Sequence, residues 1–554
     1  MRHLQRRALI VIAAKSRLAI LTTLVLIGGV VRPANGQAHT HAASGLGTVV
    51  FPVSCSQAAG AEFTRGVALL HHMTYPRARD AFEQTARLDP ACAMAHWGFA
   101  MTLFQPLWPT RPGPAELRQG WNAVEKARRL HPPTERERLL IAAATAFFEN
   151  PDSTDYWQRI RRWEQAMEKA YTAFPRDPEV GAFYALAHLA IAPPNVVSTA
   201  YADTAAAILL EIYKRNPDHP GAMHYLVHAD DVPGREREQL DVVRKYDQLA
   251  PDNAHALHMP THIYTRLGEW DAVVAGNLRA ADAARAQPAG DRGQFVWDEF
   301  PHAVEYLVYG YLQRGADDKA AEQVTRLRTT ARLQPSFKTA FHLASTQARY
   351  ALERHAWTEA AALTPREPST IEWDRYPWAE GVTVFARGLG AAHTGKLDDA
   401  RAAADRLGAL DERAAASGED LFARNIRVMR LEVRAWIAQA EHHADSSVAL
   451  MREAVELELA TPKHAVTPGA TLPAYELLAD LLMEQQRSAE ALATYERSLG
   501  LYPRRFNSLL GAARAAHASG DDARARAHYQ ELLRVAEGST RSSVIAEART
   551  RLPR

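Results

Sequence analysis

Five histidines are spaced so that they can act together. His224 and His228 stand four residues apart in HYLVH, and His258 and His262 stand four apart in HALHMPTHIYTRLG, which also holds His255. Six of the chain's 23 histidines fall between His219 and His262, a local density that uniform scatter does not produce. On a helix, residues at i and i+4 lie one turn apart, so two imidazoles reach the same cation. A third and fourth ligand must then come from a neighbouring element. Neutral imidazole suits zinc, copper or iron, and a carboxylate in the set shifts the preference toward harder ions. The chemistry in view is a multi-histidine site for a divalent transition metal.

The elements that must hold these side chains are helices. Alanine is abundant, strand-like Val/Ile/Thr runs are absent, and Pro recurs between apolar stretches of helical period. Pro260 stands between His258 and His262, where it removes a backbone hydrogen bond and bends the segment. At the N-terminus, Arg2, Arg6, Arg7, Lys15 and Arg17 precede an uncharged apolar run from Leu18 to Val31. Ala34-Asn35-Gly36 follows with small residues, which reads as a cleavable signal peptide with Gln37 as the new N-terminus. The run is shorter than the ~20 residues a bilayer span needs. The expectation is a periplasmic or secreted protein without stable membrane insertion; an uncleaved anchor is the alternative. Export permits a disulfide between Cys55 and Cys92, the only two cysteines, and two buried thiols are the other reading. The 65 Lys+Arg balance 64 Asp+Glu. That balance excludes nucleic acid or an anionic membrane surface as a main partner.

Periodicity sets the architecture. Ala491 to Ala525 and Tyr495 to Tyr529 are each 34 residues apart, with Pro503 and Gly520 between them, and Gly66, Ala78, Phe82 and Pro90 repeat the spacing at the other end. This resembles the tetratricopeptide repeat, a 34-residue helix pair with small residues where the helices cross. Gly268-x-Trp270, Gly315 and Gly395-x4-Ala400 keep only parts of the pattern. "DPACAMAHWGFAM" (Asp89–Met101) and "HALHMPTHIYTRLGEW" also look like signatures of exported bacterial repeat proteins. The resemblance implies an all-α superhelical solenoid, because one helix pair cannot bury its apolar stripe alone. It divides the chain into a signal peptide over 1–36, an extension over 37–56 and N-terminal repeats over 57–215. Histidine-rich central repeats over 216–330, degenerate repeats over 331–465 and C-terminal repeats over 466–554 follow.

The same resemblance implies where the histidines face. With Gly268 at the family's position 15, His255, His258 and His262 take positions 2, 5 and 9, all concave. They lie within roughly 60° of one another on the helix. One repeat earlier, His224 and His228 take positions 5 and 9, the slots of His258 and His262. With Gly315 at position 15, His302 and Glu305 are concave as well. The expectation is that His224, His228, His258 and His262 converge on one point, with His255, His302 and Glu305 joining or supporting them. Asp231, at position 12, is a further ligand or a carboxylate that orients an imidazole. A polar pocket without metal, a pH-dependent surface and plain structural histidines are the competing readings. His71-His72 and Trp97 read as packing, Arg349 as a cation aimed into the groove, His219 as a bystander in a turn and Arg504-Arg505 as a solvated turn. No phosphate-cradling glycine loop, Gly-x-Ser-x-Gly elbow or His-Glu-x-x-His occurs, so the sequence names no enzymatic activity. Two functions follow: a metal-binding solenoid, or a scaffold whose groove takes a protein or peptide.

Overall fold

The computed structural model describes residues 40–42, 45–108, 111–152, 155–193, 195–290 and 293–552. The expected signal peptide and its cleavage site lie outside these residues. From Gln57 to Thr550 the described chain is a succession of helices joined by short turns, beginning with the pair Gln57–His71 and Tyr75–Leu88. Strand is confined to two short antiparallel ribbons, Thr40–Ala42 with Thr48–Val50 and Pro288–Ala289 with Phe295–Val296. Among the described residues no helix is long and apolar enough to cross a membrane.

Local chemistry starts and stops these helices where the sequence places it. Asp177 accepts from the backbone N–H groups of Glu179 and Val180 to cap Pro178–Ala190, with Pro at the first helical position. Asn253 does the same for His255 and Ala256. Gly268 ends Pro260–Leu267 at φ +67°, a left-handed conformation that glycine adopts without strain. The small residues of the repeat are small because helices cross on them. A Cβ on Gly66 would stand 2.8 Å from the Phe82 ring, and one on Gly98 would stand 2.3 Å from it.

Packing then joins the pairs. One continuous apolar core runs from Val49 to Leu267 and a second from Ala254 to Ala525. They meet in the segment Ala254–Leu267, which carries three of the clustered histidines. The superhelix also returns upon itself. Trp270 Nε1 donates to the Arg504 carbonyl at 2.8 Å, the Thr540 N–H donates to the Gly315 carbonyl at 2.9 Å, and Arg541 pairs with Asp317 at 2.9 Å. The Arg504-Arg505 turn is therefore not simply solvated. Arg505 is fully buried between Glu353 at 2.9 Å and Glu476 at 2.7 Å, and donates to the Tyr309 hydroxyl at 2.9 Å. The physical reason is long-range: the returning turn encloses two acids that need a buried cation. Cys55 and Cys92 are joined by a disulfide across a separation of 37 residues.

Candidate metal centre

Two stacked helices and the one after them bring the histidines together. Pro220–Asp230 carries His224 and His228. Its neighbour is split by Pro260 into Ala254–His258 and Pro260–Leu267, and carries His255, His258 and His262. Glu299–Gln313 adds His302. The four histidines of the matched slots do not converge on one point. They form two adjoining triads, His224/His228/His255 and His258/His262/His302, and in each triad one ligand nitrogen per ring lies within 4.8 Å of the others. His255 and His258 share the segment Ala254–His258, and their rings diverge from it: His255 meets His224 on the earlier helix, while His258 and His262 meet His302 on the later one. The triads are neighbours, with ring centroids 6.3 Å apart for both His228–His262 and His255–His258.

The second nitrogen of each ring fixes its tautomer. His224 Nδ1 donates to the His71 carbonyl at 2.6 Å, and His255 Nδ1 donates to Glu299 at 3.1 Å. His258 Nδ1 donates to Asn277 Oδ1 at 2.7 Å, and that amide is oriented by its own donation to the Val273 carbonyl at 2.8 Å. His262 Nδ1 donates to Asp231 at 2.9 Å. His302 Nδ1 lies 2.9 Å from His342 Nε2, and His342 Nδ1 is bonded to Glu305. Each chain ends on an acceptor that has no proton to give, so the neutral forms of His224, His255, His258, His262 and His302 carry a bare lone pair on Nε2. Those lone pairs face one another: His224 Nε2 and His255 Nε2 are 3.1 Å apart, and His258 Nε2 and His262 Nε2 are 2.9 Å apart. Buried His228 Nε2 has no hydrogen-bond partner among the described residues. Two ligands of a tetrahedral ion at ~2.0–2.1 Å stand about 3.3 Å from each other, close to these separations.

Electrostatics disfavour protonation of His224, His258 and His302 and keep the outer carboxylates charged. Burial, aided by His255 and His228, holds His224 well below the usual histidine range; burial with His262 does the same to His258, and burial with His258 and His342 to His302. Against the cost of its own burial, Asp231 is held well below the ordinary carboxylate range by Lys463 and Arg266, at 2.8 and 2.6 Å. Glu299 is likewise held ionised by Lys338, and Glu305 by His342 and Arg349. Glu305 is thus not placed among the ring nitrogens. It stands behind His342, which stands behind His302, so its part is to orient the relay. Arg349 does not reach into open groove either; it is fully buried, bound to Glu305 at 3.0 Å and to the carbonyls of Gly469, Ala470 and Thr471 at 2.8, 2.8 and 3.1 Å.

The centre is enclosed rather than spread on an open concave face. Leu107, Trp108, Ala465 and Val466 close a void of about 20 Å³ that touches both triads through His228, His255, His262 and His302. That volume holds a single water-sized species. On the other side of Trp108 and Ala465 lies a cleft of about 880 Å³. The irregular segment from Thr461 to Pro473 separates the two spaces, pinned by Lys463 on Asp231 and by Arg349.

The sequence pattern did not reveal Asn277, Glu299, Lys338, His342 or Lys463. Glu299 lies one turn before His302, and that spacing alone could have flagged it; the others come from helices or loops with no shared register. A third group, His71, Glu179 and His219, also lies close together. His71 Nε2 and His219 Nε2 meet Glu179 at 2.7 and 3.3 Å, while His71 Nδ1 and His219 Nδ1 accept from the Tyr225 hydroxyl and the Ala222 N–H. Both rings of this group thus close on the one Glu179 carboxylate, His71 by a hydrogen bond and His219 by a 3.3 Å contact without one. His219 is accordingly a buried cap and ion-pair partner.

No family model and no curated protein matches the chain. Among solved structures it is similar to a tetratricopeptide repeat protein from Parabacteroides merdae, at 14% identity over 54% of this chain and 98% of that one, with a TM-score of 0.28. It is similar to a monomeric mutant of IFIT1 with Gppp-AAAA, at 12% identity over 87% and 96% of the two chains, TM-score 0.35. Yeast Tom70 gives 12% identity over 89% and 96%, TM-score 0.28. By its own helix pairs, the described chain is an all-α solenoid of stacked helices.

Proposed function

We propose that this is an exported helical-repeat metalloprotein whose two histidine triads each hold one divalent transition-metal ion. His224, His228 and His255 would ligate the first and His258, His262 and His302 the second. The observation that carries this reading is the pair of facing Nε2 lone pairs, each fixed by an acceptor-only partner on the far side of its ring. Two lone pairs at 2.9–3.1 Å in a buried site repel unless a cation lies between them. Protonating a ring would supply that cation, and burial opposes it at His224, His258 and His262. Carboxylate–histidine and carbonyl–histidine supports of this kind fix ring orientation and raise ligand basicity in metal sites. Ligand sets free of carboxylate favour zinc, copper or iron over harder ions.

The test is elemental analysis by mass spectrometry of untagged protein. The expected result is about two transition-metal ions per chain after dialysis. Protein that stays metal-free after exposure to zinc and to copper would leave the scaffold reading, a groove for a protein or peptide, in its place.

A further inference from the structure

The cleft of about 880 Å³ beside the metal centre has a chemistry of its own, independent of any ion. Its size is that of a small-molecule site. Trp157, Phe341, Trp378 and Phe422 contribute to its walls. Its mouth is rimmed by Val196, Val197, Leu459 and Leu501, which are 52%, 44%, 43% and 43% exposed. These are four of the five large apolar side chains that the described surface exposes most, and they meet at one opening.

Charge in the cleft is one-sided. The described residues lining it include six carboxylates and three cations, Arg111, Arg266 and Lys463. Each cation already has an acid: Arg111 is 3.6 Å from Glu419, and Arg266 and Lys463 share Asp231. Glu432 is different. It is 1% exposed, it lines the cleft, and its Oε1 has no hydrogen-bond partner. A buried carboxyl oxygen left unmatched is costly, and structures rarely keep one without a use for it. Burial and the nearby Glu458 push the Glu432 carboxyl well above the usual carboxylate range, which is what a missing positive partner would relieve. The neighbouring His464 cannot serve, because burial holds it near 3, far below its ordinary value.

We propose that this cleft binds a small amphipathic amine, with its ammonium group on Glu432 and its apolar body against the aromatic walls. An ammonium bound there gains both a charge-assisted hydrogen bond and attraction from the ring faces. An anionic ligand of the same shape meets an unmatched carboxyl and is rejected.

Two probes of matched size decide this by isothermal titration calorimetry on the full chain: 2-phenylethylamine and 3-phenylpropanoate. The amine is expected to bind saturably at one site, and the carboxylate at least tenfold more weakly. Glu432→Gln keeps the shape of the side chain and should weaken the amine at least tenfold while leaving helical circular dichroism unchanged. Should that variant fold poorly, Glu432→Asp gives a second reading, since it keeps the acid but draws it back by one methylene and should weaken the amine severalfold. Equal binding of the two probes, no saturable amine binding, or an amine affinity untouched by Glu432→Gln would overturn the proposal. Repeating the titration after chelator treatment separates it from the metal reading. Amine binding that persists in metal-free protein supports Glu432 as the receptor, and binding that vanishes with the metal assigns the nitrogen to the ions instead.

Discussion

In the proposed metal reading a single nitrogen on each imidazole is the ligand atom, and the residue-scale predictions follow from that. His258→Ala removes one ligand from the second triad only, so metal content should fall from about two ions per chain to about one. Helical circular dichroism should not change. His517, an exposed residue paired with Asp522, is the control, and His517→Ala should leave metal content intact. Asn277→Leu removes the acceptor for His258 Nδ1 without leaving a buried charge behind. Loss of such an orienting partner typically weakens metal affinity ~10–100-fold. The expected readout is a chelator-competition midpoint shifted by one to two decades for one of the two ions. An unchanged midpoint would mean that the Nδ1 partners do not matter to ligation.

At the scale of elements, the turn Arg504-Arg505 separates two adjacent residues of one type by environment alone. Arg505→Met strands Glu353 and Glu476 in a buried site, and breaking such a pair costs ~3–5 kcal/mol. Arg504, whose partner Glu531 stands at the surface, should lose under ~1 kcal/mol on the same change. Urea denaturation of the two variants compares them directly, and similar midpoints would contradict the buried assignment. The Cys55–Cys92 link ties the N-terminal extension to the turn before the helix Ala93–Met101. The chain-entropy account gives a loop of this length ~4 kcal/mol. Cys55→Ser with Cys92→Ser should lower stability by an amount of that order, and unfolded, unreduced wild-type protein should titrate no free thiol.

For the whole molecule, buried acids shape the dependence of stability on pH from both sides. Burial pushes Asp480, Glu458 and Asp230 each up to about 7. A carboxyl whose folded value is raised stabilises the fold fully below its unfolded value and loses that contribution as pH rises through the folded one. Their part of the stability should therefore fade between about pH 4 and 8. Asp231, Glu299 and Glu305 are held low by cations and imidazoles, so their contribution is present above the ordinary carboxylate range and fades as pH falls below it. The buried histidines held low, among them His224, His258 and His302, add stability that is lost as pH falls through the ordinary histidine range near 6.5. Thermal unfolding should therefore show greatest stability near neutral pH, and Asp480→Asn should flatten the alkaline arm. An alkaline arm unchanged by Asp480→Asn would contradict the raised acid.

The sequence by itself determined the helical class and the repeat, because both follow from local periodicity: an apolar stripe at helical spacing, small residues such as Gly66 and Ala78 at repeating positions, and 34 residues between Tyr495 and Tyr529. It also brought out the clustering of His224, His228, His255, His258, His262 and His302, since equal slots on stacked helices face the same side. Tertiary structure decided how those six divide. His255 turns to the helix before it while His258 and His262 turn to the helix after it, and the repeat register alone does not state which neighbour each ring meets. It decided as well that Glu305 acts through His342, that Asp231 is shared with Lys463 from more than 200 residues away, and that Arg505 is buried while Arg504 is not. Those facts depend on the superhelix closing on itself. Contacts between its successive turns are set by the summed twist of many helix pairs, a quantity that no local stretch of residues encodes.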